Sequence, residues 1–149
     1  MHVVDEIETI LDLPHPPQKV WNAVTTPDGL NQWFGDHVTM RLEEGSPILF
    51  RWDEYGEVGG IIEVVEPITR FAYRWRAHGV PEGVAMNATN STLVTFELTP
   101  TPAGTRLRVL ETGFAGLDPE LREAAFRENT SGWAHELAEL TEFLTGQPV

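Results

Sequence analysis

Glu111 is the polar residue best placed to do chemistry inside this protein. It follows Leu107 and Val109 at even spacing in a segment whose alternation predicts a strand, so its side chain is expected to face the same interior as theirs. A buried carboxylate needs a partner or keeps its proton, and in either state it could orient a ligand or act as an acid or base. The alternative is a bulge at the strand end that turns Glu111 towards solvent or onto a backbone group.

Tyr73 and His37 are two further candidates for acid or base chemistry. His37 comes just after Trp33 and Phe34, where it could mark the rim of a cavity; an exposed or capping histidine is the alternative. The five histidines share no spacing typical of metal ligands, and there is no cysteine, so no metal site is predicted. The serines lack a nucleophile-elbow context, no glycine-rich phosphate loop is present, and no cofactor is implied.

Aromatic residues form the largest set expected on one surface. Phe71, Tyr73 and Trp75 alternate with Ala72 and two arginines, so the three rings project to one face of a strand. Such rings either fill a core or line a ligand cavity of a few hundred Å³. The candidate cavity residues are Trp33, Phe34, Trp52, Phe71, Tyr73, Trp75, Phe96, Glu111, Phe114, Trp133 and Leu137.

Composition limits the classes of protein to which the chain can belong. Its 149 residues fit a single domain spanning 1–149, and 41% hydrophobic residues support a core. No stretch approaches the roughly 20 apolar residues of a membrane span, and the N-terminus has no signal-peptide pattern, so a cytoplasmic protein is expected. A net charge of −13 opposes binding to nucleic acid or to an anionic membrane surface.

These residues must be positioned by a sheet, because the hydrophobic period is two over most of the chain. Residues 3–13 predict a first strand, and proline-marked starts predict two short helices before residue 35. In the second helix Thr26 is the expected N-cap, followed by Pro27. Further strands are predicted at 37–42, 47–55, 58–66, 69–77, 92–99 and 104–112.

A long C-terminal helix is predicted to cover one face of this sheet. Asp118-Pro119 signals its start, and an apolar stripe runs through Phe126, Trp133, Leu137, Leu140 and Leu144. We therefore expect an α+β fold in which a curved antiparallel sheet of about seven strands wraps around the helix over residues 119–144.

Three weaker signals in the sequence are typical of ordinary structural features. Gly59-Gly60 within a strand indicates sheet curvature or close packing at a bulge, and the Gly/Pro/Asn-rich stretch 77–90 is a candidate flap. The sequons that begin at Asn87, Asn90 and Asn129 are interpreted as chance matches.

Six local motifs follow one another along the chain: VWNAVTTP at 20–27, QWF at 32–34, GGIIEVVEP at 59–67, TRL at 105–107, ETGF at 111–114 and GW at 132–133. In this order and spacing they resemble the family related to the activator of Hsp90 ATPase, within the START/Bet v 1-like superfamily. The resemblance runs from Glu8 to Leu144 and implies a helix-grip fold with a cavity between sheet and helix. Members of the wider superfamily bind lipids, sterols, polyketides and other apolar molecules, and a minority catalyse cyclisation or hydrolysis.

Three classes of function follow as expectations. The leading one is binding or sequestration of a hydrophobic, aromatic or fused-ring small molecule by a monomer or homodimer. The second is an enzyme of the cyclase or hydrolase type that uses Glu111, Tyr73 or His37 in the same cavity. The third is a co-chaperone-like interaction domain; the sequence lacks the extra N-terminal domain associated with the eukaryotic activator, so direct stimulation of Hsp90 is not expected.

Overall fold

The computed structural model describes residues 5–54, 56–77, 80–81 and 83–146. Its order of one strand, two short helices, six strands and one long helix is the predicted order. The elements are β1 (Glu6–Leu13), α1 (Pro17–Thr25), α2 (Pro27–Trp33), β2 (His37–Met40), β3 (Pro47–Trp52), β4 (Gly56–Glu66), β5 (Arg70–Arg76), β6 (Ser91–Thr101), β7 (Gly104–Thr112), a 3-10 turn (Phe114–Gly116) and α3 (Pro119–Gly146).

The seven strands form one sheet in the order β1-β7-β6-β5-β4-β3-β2, with every neighbouring pair antiparallel. Burial alternates along β3, β6 and β7, so one face holds the core and the other carries polar side chains. The predicted α+β class and strand number are confirmed.

Local sequence explains the two short helices. Thr26 caps α2 by accepting a hydrogen bond at Oγ1 from the amide of Gly29 at 3.0 Å, and Pro27 occupies the first turn. Helix α1 packs against β6, β7 and α3, while α2 packs against β2 and α3. The pair therefore braces the long helix from one side.

Helix α3 has 28 residues and is about 42 Å long at 1.5 Å per residue. Trp133, Leu137, Leu140 and Leu144 of the predicted stripe are buried against the sheet. Phe126 is half-buried and belongs to a smaller cluster with Phe114. Among the described residues, no helix is long and apolar enough to cross a membrane.

Gly60 makes close packing possible on β4. A Cβ at this position would collide with the backbone carbonyl of Arg74 on β5. The register of β4 against β5 then shifts between Ile62 and Val64, which marks a β-bulge. Gly60 thus allows the close approach of β4 to β5, and the bulge follows it further along the same strand.

The described part of the proposed flap is hydrogen-bonded to its surroundings. Arg76 Nη2 donates to the carbonyl of Val84 at 2.8 Å. The side chain of Asn90 donates to the carbonyl of Ala85 at 2.9 Å and accepts from the amide of Asn87 at 2.8 Å. Positions 78, 79 and 82 of the flap lie outside the described residues.

Candidate functional site

Nine aromatic side chains meet between the concave face of the sheet and α3, and we call them the aromatic cluster. Neighbouring rings have centroids 5.0 to 6.4 Å apart. All are buried except Trp52, which is half-buried. The cluster consists of Trp33, Phe34, Phe50, Trp52, Phe71, Tyr73, Trp75, Phe96 and Trp133. Phe50 is the one member that the sequence did not indicate.

Trp133 of α3 occupies the middle of the aromatic cluster. Its ring stacks on Phe34 at 5.3 Å and lies 6.1 Å from Trp75 and 6.0 Å from Phe96. The rings therefore pack as a core would. A ligand could enter this space only if some of these side chains moved apart.

Glu111 faces the interior and is fully buried. It lies opposite Ile7 on β1 and Val94 on β6 in unbroken register, so the strand-end bulge does not occur. Oε1 accepts a hydrogen bond from Trp133 Nε1 at 2.7 Å. Oε2 accepts from Trp75 Nε1 at 3.0 Å, Thr92 Oγ1 at 2.6 Å and Asn129 Nδ2 at 2.8 Å.

We call Glu111 and these four donors the carboxylate cage. Indole and amide N–H groups can only donate, which matches a carboxylate that only accepts. No salt bridge among the described residues involves Glu111. Hydrogen bonds to a charged group contribute about 1.5–3 kcal/mol each, so the cage ties β5, β6 and β7 to α3. Its acceptor positions are occupied by the protein itself.

Thr92 and Asn129 belong to the cage but were missed by the sequence reasoning, which treated them as parts of chance sequons. One signal was available for each. Asn129 precedes Trp133 by four residues and so shares its helical face, and Thr92 is the cross-strand partner of Trp75. The sequence does not show that Glu111 lies between Thr92 and Asn129 in the folded protein.

Tyr73 presents the opposite situation to Glu111. The side chain is 1% exposed, and its hydroxyl has no hydrogen-bond partner among the described residues. Burial raises the pKa of the Tyr73 hydroxyl well above its usual value, and the negative charges of Glu111 and Glu136 raise it further. The phenol is therefore neutral, and leaving it unpaired costs about 1–3 kcal/mol.

Glu136 lies on the flank of the buried stripe of α3, three residues after Trp133, and is half-buried. Burial raises the pKa of its carboxyl to about 7; His135 lowers it, and Glu139 and Asp36 raise it. Asp36 belongs to the corner between α2 and β2. No feature of the sequence distinguishes Glu136 from the other acidic residues of the helix.

The remaining candidates lie at different places. Leu137 is buried beside the aromatic cluster, whereas Phe114 belongs to the smaller cluster with Phe126. His37 is exposed, with Nε2 3.7 Å from Asp53 Oδ1. Structure thus keeps Tyr73 and Glu111 inside and places His37 at the surface.

A separate cleft of about 430 Å³, which we call the outer cleft, is lined by residues of α1 and α2, the turn between them, and one residue of α3. None of the predicted site residues lines it. Its walls are Lys19, Asn22, Ala23, Thr26, Asp28, Gly29, Gln32 and Phe143. Within the described part of the chain, no three histidine or acidic side chains come together as a metal site requires.

A curved seven-stranded antiparallel sheet that grips one long C-terminal helix defines the helix-grip class of proteins. The chain belongs to the family of activator of Hsp90 ATPase homolog 1-like proteins, whose model matches residues 14–145. No protein with a curated description matches it.

Solved structures extend the comparison of folds. Protein MLL2253 from Mesorhizobium loti is 26% identical with a TM-score of 0.80, over 97% of this chain and 99% of that one. DynU16, a protein of the dynemicin biosynthetic locus, is 24% identical with a TM-score of 0.77, over 96% of this chain but 48% of that one. The solution structure of the Aha1 dimer from Colwellia psychrerythraea is 21% identical with a TM-score of 0.75, over 95% and 96%.

Proposed function

We propose that this protein binds an apolar, aromatic small molecule between the concave face of its sheet and α3. The observation that carries the proposal is the Tyr73 hydroxyl, which is buried among aromatic rings and has no hydrogen-bond partner in the described part of the chain. A ligand with a hydrogen-bond acceptor would satisfy this hydroxyl, and its rings would replace contacts within the aromatic cluster. Ligand sites commonly combine apolar walls with a few such polar groups.

The proposal assigns different roles to two buried polar residues, Glu111 and Tyr73. Glu111 has its acceptor positions filled by the cage, so it holds the walls in place and does not contact the ligand. Tyr73 supplies the polar anchor. This differs from the expectation that Glu111 itself anchors or protonates a ligand.

Access is proposed at the corner between α2 and β2. Gly35 lies against the half-buried indole of Trp52, and Asp36 lies close enough to Glu136 to affect its carboxyl. Movement of Trp52 and Phe34 at this corner would open a path to Tyr73 and Trp75. Side-chain rotamer changes of this size are common on binding.

The comparisons support a small-molecule role only in outline. The family is shown by its model, and DynU16 is described as belonging to a biosynthetic locus, which is in keeping with handling of a small molecule. Family membership does not transfer a reaction. The co-chaperone alternative depends on the name of the family, and no contact described above favours it.

An enzymatic role has one observation in its favour. Glu136 is a half-buried carboxyl with a pKa of about 7, a value suited to proton transfer near neutral pH. A reaction of the cyclase or hydrolase type would therefore use Glu136 with Tyr73, in place of the Glu111 or His37 expected from the sequence. Turnover lost in Glu136→Gln with ligand binding kept would establish this alternative.

Isothermal titration calorimetry with naphthalene and 2-naphthylmethanol tests the binding proposal. Both compounds should bind saturably. Tyr73→Phe should weaken the binding of 2-naphthylmethanol several-fold and leave the affinity for naphthalene unchanged. Phe143→Ala, in the outer cleft, serves as the control and should alter neither affinity. Absence of saturable binding by both compounds would rule the proposal out.

A further inference from the structure

The charge around Tyr73 restricts the kind of ligand that the proposed site can hold. Glu111 and Glu136 both place negative potential at its hydroxyl, from opposite parts of the structure, β7 and α3. The charged groups that act on Glu136 among the described residues are His135 and Glu139 on the same helix and Asp36 at the α2–β2 corner. Carboxylates therefore outnumber the one imidazole around this carboxyl.

Basic side chains lie mainly on the other face of the sheet, where they are already paired. Arg106 pairs with Asp12, Arg108 with Glu8 and Glu97, and Arg74 with Glu63. These residues project from the face opposite the aromatic cluster. They do not offset the carboxylates beside Tyr73.

Aromatic rings next to unbalanced carboxylates favour cations. The faces of indole and phenyl rings attract an ammonium group, and Trp is the strongest of them. Trp75 and Trp133 lie in the aromatic cluster on either side of the sheet–helix boundary, and Trp52 lies half-buried at the proposed opening. The oxygen of the Tyr73 hydroxyl can accept a hydrogen bond from an ammonium N–H.

We infer that the site is selective for cationic ligands, namely arylalkyl amines whose ammonium group pairs with Glu136 and contacts the Tyr73 hydroxyl. The inference depends on the proposed function and names its ligand class. Anionic aromatic compounds of equal size are rejected by Glu136 and Glu111. Neutral ones bind through ring contacts and, where they carry an acceptor, through the Tyr73 hydroxyl, but without the ion pair to Glu136.

Three matched compounds separate these cases: 2-naphthylmethylamine, 2-naphthylmethanol and 2-naphthoic acid. Calorimetry at pH 8 and low salt should rank their affinities amine, alcohol, acid, with at least a tenfold difference between amine and acid. Glu136→Gln should reduce the affinity of the amine to about that of the alcohol and leave the alcohol within twofold. Glu142→Gln removes the same charge from an exposed position of α3 and is the matched control, with no such effect.

The pH dependence gives a second readout. Because the carboxyl of Glu136 must ionise to pair with an ammonium, and its pKa is about 7, the amine should bind up to about tenfold more tightly at pH 8 than at pH 6. An alkylammonium keeps its proton over this range. In Glu136→Gln the difference between the two pH values should disappear, although His135, Glu139 and Asp36 remain.

The possible failures can be told apart. Equal affinity for all three compounds, or an unchanged amine preference in Glu136→Gln, would overturn the inference and leave the proposed function standing. No binding by any of the three compounds would overturn the proposed function and the inference with it.

Discussion

Two of the buried polar groups on the concave face, the carboxylate of Glu111 and the hydroxyl of Tyr73, have opposite hydrogen-bonding environments. Glu111 is surrounded by four donors from three elements, while Tyr73 has no partner among the described residues. A buried group whose hydrogen bonds are complete stabilises the native state, whereas an unpaired one lowers its stability. The difference assigns a structural role to the first and leaves the second available to a ligand.

Trp133→Ala should have the largest effect on stability, because Trp133 belongs both to the aromatic cluster and to the carboxylate cage. The change removes a buried ring that contacts Phe34, Trp75 and Phe96, and it removes the donor to Glu111 Oε1. We expect a loss of about 5 kcal/mol in the free energy of unfolding, measured by urea denaturation. Trp133→Phe keeps a ring and should lose less; a loss below about 1 kcal/mol for alanine would show that the helix does not cover the cluster.

Glu111→Gln tests whether the cage is structural. A glutamine amide places N–H donors where the cage already supplies four, so at least one buried donor loses its acceptor. The free energy of unfolding should fall by about 2–4 kcal/mol in urea denaturation. A silent substitution would mean that the cage contributes nothing to stability, and the contrast with Tyr73 would be lost.

Glu136→Gln tests how the carboxyl of Glu136, near Tyr73, makes the stability of the protein depend on pH. The pKa of this carboxyl is about 7 in the folded protein against an ordinary value of 4.5, so the native state binds the proton more tightly than the unfolded state. Wild-type stability therefore decreases as pH rises from about 4.5 to 7. We compare the free energy of unfolding of Glu136→Gln with that of the wild type by urea denaturation at each pH. The difference should be about 1–2 kcal/mol more in favour of the variant at pH 8 than at pH 5. A constant difference would contradict the raised pKa.

Removal of single hydroxyl groups gives the smallest and most direct comparison. Tyr73→Phe deletes an unpaired hydroxyl, so stability should be unchanged or higher by up to about 1 kcal/mol. Thr92→Val deletes one that donates to Glu111, and it should cost about 1–3 kcal/mol. Thermal and urea unfolding of both variants decide the point. Equal losses would show that Tyr73 has a partner in solution and would remove the basis for its role as an anchor.

Much of this architecture could be predicted because its causes are local. Thr26 and Pro27 mark the start of α2, and alternation along β5 places Phe71, Tyr73 and Trp75 on one face. The same period placed Glu111 inward with Leu107 and Val109. The strand bounds were less accurate: β2 ends at Met40, two residues before its expected end, because the chain bends from Leu42 into the turn at Glu44 and Gly45.

The surroundings of each inward side chain were decided by tertiary structure alone. Glu111 meets Asn129 and Trp133 because α3 crosses β7 at that level, and no period along either segment encodes this depth. Tyr73 lies two residues before Trp75 on the same face, yet the indole reaches the cage and the hydroxyl does not. The sequence by itself determined which faces are apolar and which polar residues turn inward, since these follow from backbone periodicity. Only the packing of α3 on the sheet decided which of those polar groups are paired, because hydrogen bonding depends on fractions of an ångström between segments distant in the chain.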